Sequence, residues 1–363
     1  MHKKGIREVA HIAGVSISTV SRAFTRPELV SEKTRERVME AASMLDFNIS
    51  RSATALKSGQ TFRVALLMNE EVTSWFNTQV FAGLNSVLHD AGYDISLFQH
   101  IDDAKNRESF FVNLPVLRNV DAVFVASFAI EPNEVEQLRR THVPIIGINT
   151  PSSSAFDASI SIDDEAGMFR AAQHMINLGH HKIVYTCSAA EESLEASIDA
   201  RGRGFVRACE AAEGTHDIDW KVLSVPRGRD FADAALAAVL SEETFPDAIC
   251  CQMDMMAIPL IIKLQRHGYY SPRDYSIIGF DDSAYADTVD LTTMRQDPFS
   301  MGATAAKKGL KLLRGEPLDE PHSIVEPRLV LRGTARAWSP TGRSSGKRGS
   351  PRQSSDWVDG YRG

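Results

Sequence analysis

Cysteine is scarce in this chain, and the spacing of what is present suits neither a metal site nor a disulfide framework. The four residues are Cys187, Cys209, Cys250 and Cys251. Adjacent cysteines are poor disulfide partners, and none of the four has ligand spacing. A reduced compartment is expected, with no metal and no cofactor. Long apolar runs are missing as well: none approaches the roughly eighteen residues of a membrane span. The opening Met-His-Lys-Lys-Gly leads into an amphipathic segment instead of an apolar export leader. The expected location is therefore cytoplasmic. Enzyme signatures are also lacking. There is no Gly-Lys-Ser/Thr phosphate loop, no Gly-x-Ser-x-Gly elbow and no His-Glu-x-x-His helix. Gly202 and Gly204 do not open a Gly-x-Gly-x-x-Gly turn after a strand. His180 and His181, after Gly179, fit a surface corner or a metal-ligand pair. With no nucleophile and base in sight, no enzyme is expected.

What is present is a chain of 363 residues with 43% hydrophobic and 24% charged content, more than one core usually serves. Its net charge of −7 is unevenly spread. Residues 1–60 carry 10 Lys/Arg against 6 Asp/Glu, residues 61–338 carry 25 against 39, and the tail carries 5 against 2. A basic head on an acidic body places any polyanion partner at the head.

Within residues 1–49, Ile6, Val9, Ala10 and Ala13 form the apolar stripe of a short helix. Gly14 supplies a permissive turn, and Ser16 is an N-cap for a second helix from Ile17 to Phe24. Val20, Ala23 and Phe24 face inward there. Pro27 ends that helix, and Ser31 caps a third with Val38, Ala41, Ala42 and Leu45 inside. A tight helix-turn-helix of this kind lays its second helix in the DNA major groove. Arg22 can bond guanine or phosphate, Ser16, Ser18, Thr19 and Ser21 can bond bases or phosphate, and Ile17 can meet a thymine methyl. A three-helix protein-interaction bundle with a solvated Ser/Arg face is the alternative. Residues 50–61 read as a hinge helix too short to stand alone. Arg51 and Lys57 suit phosphates, Leu56 suits a minor-groove wedge, and Ala53 allows close approach. The plainer reading is a linker.

From residue 62 short apolar runs alternate with amphipathic helical stretches. The runs fall at 64–68, 94–98, 122–126, 145–148, 183–186, 222–225, 248–251 and 276–280, with helices such as 165–178, 204–212 and 231–240 between them. Alternation over this length predicts an α/β body of parallel sheets flanked by helices, divided into two lobes with a ligand cleft between them. Residues 339–363 are rich in Ser, Gly and Arg without periodicity, and disorder is expected there.

Several stretches carry a resemblance to the lactose-repressor (LacI/GalR) family of bacterial transcription regulators. They are Ile6–Arg22, Val30–Val38, 55–61, Ser161-Ile-Asp-Asp-Glu-Ala-Gly167, Leu178-Gly-His-His-Lys-Ile183, Ile278-Gly-Phe-Asp-Asp282 and Leu291-Thr-Thr-Met-Arg-Gln296. The resemblance implies a homodimer on a palindromic double-stranded operator, with the two copies of Leu56 meeting at its centre. It also implies a periplasmic-binding-protein-like sensor. Its first lobe would span about 62–158 and 292–322, and its second about 159–291 and 323–338. The family's effector positions fall on Asn149, Arg201 and Asp281, a trio suited to a neutral, polyhydroxylated ligand such as a sugar. Trp75, Phe76 and Trp220 can stack on a sugar face or pack in a core. Where the family commonly has Asn-Asp, this chain has Met253-Asp254, so one hydroxyl partner is lost. The expected function is repression released by a bound sugar. The alternative is a corepressor-dependent regulator answering to a phosphorylated or non-sugar metabolite or to a protein. A transport protein would lack the head.

Overall fold

The computed structural model describes residues 5–25, 29–45, 47, 60–101, 104–117, 120–151, 155–189, 197–226, 228 and 230–339. Pro27, the hinge residues Arg51, Ala53, Leu56 and Lys57, and the tail beyond Ser339 lie outside them.

The head contains α1 (Ile6–Ala13), α2 (Ile17–Thr25) and α3 (Glu32–Met44). Val9, Ala10, Ala13, Val20, Ala23, Val38, Ala41 and Ala42 form its core, so the stripes read from spacing are the faces that pack. Gly14 ends α1 at φ 62°, in the left-handed region. Ser16 caps α2, its Oγ accepting from Thr19 N at 3.1 Å. Arg37 of α3 donates to the Ala13 carbonyl and ties the third helix to the turn. Ser31 stands at the N-cap of α3, but its hydroxyl donates to Thr34 Oγ1 at 2.9 Å and accepts from no backbone N–H.

The body holds two six-stranded sheets. The first is built from β1 (Arg63–Met68), β2 (Asp94–Phe98), β3 (Ala122–Ala126), β4 (Ile145–Ile148), β5 (Ala158–Ile162) and β11 (His322–Val325), in the order β11-β5-β4-β3-β1-β2. The second is built from β6 (Lys182–Ser188), β7 (Asp219–Val225), β8 (Ala248–Cys251), β9 (Ser276–Asp281), β10 (Thr292–Arg295) and β12 (Arg328–Val330), in the order β12-β10-β9-β8-β6-β7. Every pairing is parallel except β10 with β12. The two orders match strand for strand, so the lobes repeat one plan. In each, the strand order reverses beside the first strand, opening a crevice at the carboxyl ends.

The helices of the body are α4 (Trp75–Leu88), α5 (Ala104–Leu117), α6 (Pro132–Arg139), α7 (Asp164–Asn177), α8 (Asp199–Ala212), α9 (Phe231–Leu240), α10 (Asp254–Arg266) and α11 (Pro298–Leu313). They cover the sheets, whose central strands are apolar on both sides; Arg63 alone of β1 is exposed, and all of β3 is buried. Apolar clusters lie on both faces of each sheet. The lobe boundaries read from the sequence shift by a few residues. Strand β5 belongs to the first sheet and β10 to the second, so the chain crosses after 162, after 295 and after 325. Each crossing follows the end of a strand that the apolar pattern did not reveal.

Candidate functional site

The cleft collects polar residues at the carboxyl ends of strands from both sheets. Asn149 follows β4, Asp281 ends β9, Gln252 follows β8 and Gln296 follows β10. Arg201 comes in from the first turns of α8, and Asp164 opens α7. These residues form one buried network. Arg201, 2% exposed, donates through Nε to Asp164 Oδ1 at 2.7 Å. Its Nη1 donates to the Gln252 carbonyl at 2.7 Å and to Asp281 Oδ1 at 3.3 Å. The guanidinium lies over the Phe280 ring, 3.7 Å from its centroid.

Asn149 joins the lobes. Its Nδ2 donates to Asp164 Oδ2 at 3.0 Å and to Ser197 Oγ at 3.1 Å, while its Oδ1 accepts from Ile162 N at 2.9 Å. Ser197 N also donates to the Ser127 carbonyl, which follows β3, at 3.1 Å. Asn149 sits at φ 50° and Asp281 at φ 130°, uncommon backbone for side chains other than glycine.

Electrostatics are crowded. Burial works against the Arg201 charge, but Asp164 and Asp281 outweigh it and raise its pKa. Asp281 is pushed up to about 7 by burial first and by Asp254 next, against the pull of Arg201. The directions for Arg201 and Asp281 conflict for a simple pair. Asp164 holds the guanidinium at the shorter distance, which leaves Asp281 the weaker claim on it. Asp254, fully buried, is raised to about 6 by burial, although Thr293 Oγ1 and Ser283 N donate to it at 2.7 and 2.8 Å.

Both carboxyls hold protons in the folded state at pH values where the unfolded chain has released them. Their contribution to stability is full below the ordinary value of 3.8 and is lost as pH rises through about 6 and about 7. The urea midpoint of the wild-type protein should fall from about pH 5 to about pH 8. Asp281→Asn keeps the acceptor used by Arg201 and Gln296 but cannot ionise, so its midpoint should fall less. Equal slopes for the two proteins would refute the assignment.

Six of the seven residues expected to meet an effector come together here. Trp75, Phe76, Asn149, Arg201, Met253 and Asp281 line one cavity of about 90 Å³. At about 10–15 Å³ per water position it holds roughly six to nine waters, the size class of a single ring. Trp220 is elsewhere. It is the second residue of β7, edge-on to Phe205 at 6.0 Å, with Nε1 donating to Glu213 Oε1 at 3.4 Å. Ligands bind beyond carboxyl ends of strands, and Trp220 is at the opposite end. A larger hollow of about 300 Å³ borders Lys182 and Ser276, at the amino ends of β6 and β9, and contains none of this network. His180 and His181 stand at the corner near it. His180 Nε2 is 3.1 Å from the Arg336 carbonyl, and His181 Nδ1 is 2.8 Å from that of Asp217. Among the described residues no group of three His, Cys, Asp or Glu is placed to hold a metal.

Sequence reading gave no role to Asp164, Ser197, Gln252, Asp254 or Gln296. Asp164 and Gln296 lay in quoted motifs, and that membership was the available signal, because the strands they follow were not marked by apolar runs.

In the head, Ser16, Ile17, Ser18 and Arg22 are exposed, while Thr19 and Ser21 are half-buried. Ser16 is occupied by its cap and lies 2.8 Å from the Ser18 and Thr19 hydroxyls. Ile17 and Arg22 therefore stand out as the groups most available to a partner. No helix among the described residues is long and apolar enough to cross a membrane.

Comparison with known proteins bears on both parts. The family model for bacterial regulatory proteins of the lacI family matches residues 5–49, and that for a periplasmic binding protein-like domain matches residues 172–335. The HTH-type transcriptional repressor PurR of Vibrio vulnificus (strain CMCP6) is 29% identical over 335 residues, covering 91% of this chain and 98% of PurR. Catabolite control protein A of Priestia megaterium is 28% identical over 323 residues, covering 88% and 95%. The lac repressor dimer bound to operator and the anti-inducer ONPF shares the fold, with a TM-score of 0.76 at 22% identity over 93% of this chain and 100% of that one. So does the regulator CelR in complex with cellobiose, with a TM-score of 0.65 at 24% identity over 92% and 100%. With a helix-turn-helix head that matches the lacI family model, two repeated lobes and 91% of its length aligned with PurR, the chain is similar throughout to the lacI family of bacterial regulatory proteins, DNA-binding regulators of transcription.

Proposed function

We propose that this protein is a cytoplasmic repressor, without catalytic activity, whose operator affinity is set by a small polyhydroxylated molecule held between its lobes. The observation that carries the reading is the buried network around Arg201. It joins the lobes through Asn149, Asp164 and Ser197, yet leaves Arg201 Nη2 and Asp281 Oδ2 unbonded by any described residue at the cleft. A donor and an acceptor on two residues in contact can each bond a ligand hydroxyl. A ligand that pulls on them stresses the network and shifts the lobes. The complexes of the structural relatives with cellobiose and with ONPF support a small-molecule ligand for this chain.

The chain would work as a homodimer, with residues 1–49 as DNA reader, 50–61 as hinge and 62–338 as sensor. Two heads would bind a palindromic operator, with Leu56 as the wedge and Arg51 and Lys57 on phosphates. A coupling of about 1–3 kcal/mol would change operator affinity about 5- to 150-fold.

The test begins with selection of an operator from random duplex DNA by the full chain. Fluorescence anisotropy then measures its affinity with and without candidate ligands. Arg22→Ala should weaken operator binding by about 1–3 kcal/mol, with relaxed preference at one base pair if it reads guanine. Uniform weakening across sequences would mark a phosphate contact instead. A ligand that lowers operator affinity makes the protein an inducible repressor. One that raises it makes the protein corepressor-dependent. If no ligand of the sensor alters operator affinity, small-molecule control is wrong.

A further inference from the structure

Charge around the cleft is unbalanced. Among the described residues that line it, Arg201 is the one cation, and Glu70 and Asp281 are acids. Asp164 stands behind Arg201 at 2.7 Å, and the Asp254 charge is close enough to act on Asp281. Asp164 and Asp281 thus share a single guanidinium, with Asp254 behind Asp281. The neutral ligand expected from Asn149, Arg201 and Asp281 alone left Asp164 and Asp254 out of account.

A second observation concerns acceptors. Gln296 is 7% exposed and lines the cleft. Its Nε2 donates to Asp281 Oδ1 at 2.5 Å, the amide orientation that an ionised Asp281 requires. The atom left over is therefore Oε1, and it has no hydrogen-bond donor. Asp281 Oδ2 accepts from no described residue either. The site thus holds one buried acceptor in need of a donor, Gln296 Oε1, and a second unbonded acceptor, Asp281 Oδ2, beside an apolar wall formed by Trp75, Phe76, Met253 and Met255.

We propose that the effector is a polyol carrying a protonated amine, of the amino-sugar class, and that phosphorylated and carboxylated metabolites are rejected. The proposal rests on the cleft being the effector site. An ammonium brings three donors and no acceptor, matching Gln296 Oε1 and Asp281 Oδ2. It offsets the surplus negative charge and can rest against the face of Trp75 or Phe76. A phosphate would add like charge to a desolvated acidic site whose one guanidinium is already held by two carboxylates through Nε and Nη1 and has only Nη2 to offer. Proton linkage follows. The Asp281 proton, retained because of burial, Asp254 and Asp164 against the pull of Arg201, is displaced by an incoming cation. Amine binding should therefore tighten from about pH 6 to about pH 7.5.

Titration calorimetry on the full chain tests this with three matched series. Each of glucosamine, galactosamine and mannosamine is compared with its neutral hexose and its hexose 6-phosphate. In at least one series the amine should bind about tenfold or more tightly than the neutral sugar. Its affinity should rise with pH over that interval, and Asp281→Asn should cut the advantage to about twofold or less. Neutral sugars equalling or beating their amines in every series would overturn the proposal, as would a 6-phosphate binding tightest or no amine binding. A neutral sugar that wins leaves sugar control of the operator standing and removes only the amine.

Discussion

Arg201→Met is expected to destabilise the protein by about 3–5 kcal/mol and to abolish its response to any effector. The side chain is 2% exposed and its bonds reach Asp164, Gln252 and Asp281. Methionine fills much of the volume above Phe280 but leaves two buried carboxyls without their cation. Each must then take up a proton or remain ionised away from water, and both cost free energy. The loss should therefore be larger at about pH 8 than at about pH 5, because protonation is cheaper in acid. Arg203 provides the control two residues along the same helix. It is 57% exposed and pairs with Glu165 at 3.4 Å, so Arg203→Met should cost at most about 1 kcal/mol. Urea unfolding of the two variants at both pH values checks the contrast. If Arg201→Met unfolds within about 1 kcal/mol of wild type, the network is not what holds the lobes.

That network was only half legible in the sequence, for physical reasons. The long central strands announce themselves because burial on both faces demands continuous apolar runs, as in β1 and β3. The capped helices of the head do so because spacing and caps act locally. Strands β5, β10, β11 and β12 are three to five residues long and mix polar with apolar side chains, so no run marks them. The chain changes lobes at the ends of three of them, β5, β10 and β11. Missing them displaced the boundaries and hid Gln296, which acquires its place only by following β10. Asp164 was visible in a motif, but its partner Arg201 is 37 residues away and no local pattern joins them. Trp220 misled because an aromatic residue near a strand suggests a stacking platform. The end of the strand on which it sits decides the matter, and β7 begins at Asp219.

Gly302→Ala is expected to cost about 2 kcal/mol or more, a large effect for a single added methyl group. Helices α4 and α11 cover the first sheet and touch backbone to backbone. A Cβ on Gly302 would lie 2.3 Å from the Val80 carbonyl oxygen and 3.0 Å from Leu84 N. A Cβ on Gly83, across the contact, would lie 2.0 Å from the Phe299 carbonyl oxygen. Neither obstacle is a side chain that can rotate aside, so the helices must separate. The second lobe repeats the device, because a Cβ on Gly204 of α8 would lie 2.1 Å from the Glu165 carbonyl oxygen of α7. Helix α11 is the segment by which the chain returns to the first lobe after building most of the second. Pushing it outward strains the crossings on both sides of it, and with them the cleft. Gly202→Ala is the counter-case. Its Cβ would meet only Tyr185 Cε1 at 3.6 Å, an ordinary contact in the interior of α8. Relief of glycine's unfolded-state entropy should then stabilise by about 0.5–1 kcal/mol. Thermal or urea unfolding of the two variants should move them to opposite sides of wild type. If Gly302→Ala is neutral, the two helices are not in backbone contact in solution, and lobe movement must be explained without a rigid α4–α11 pair.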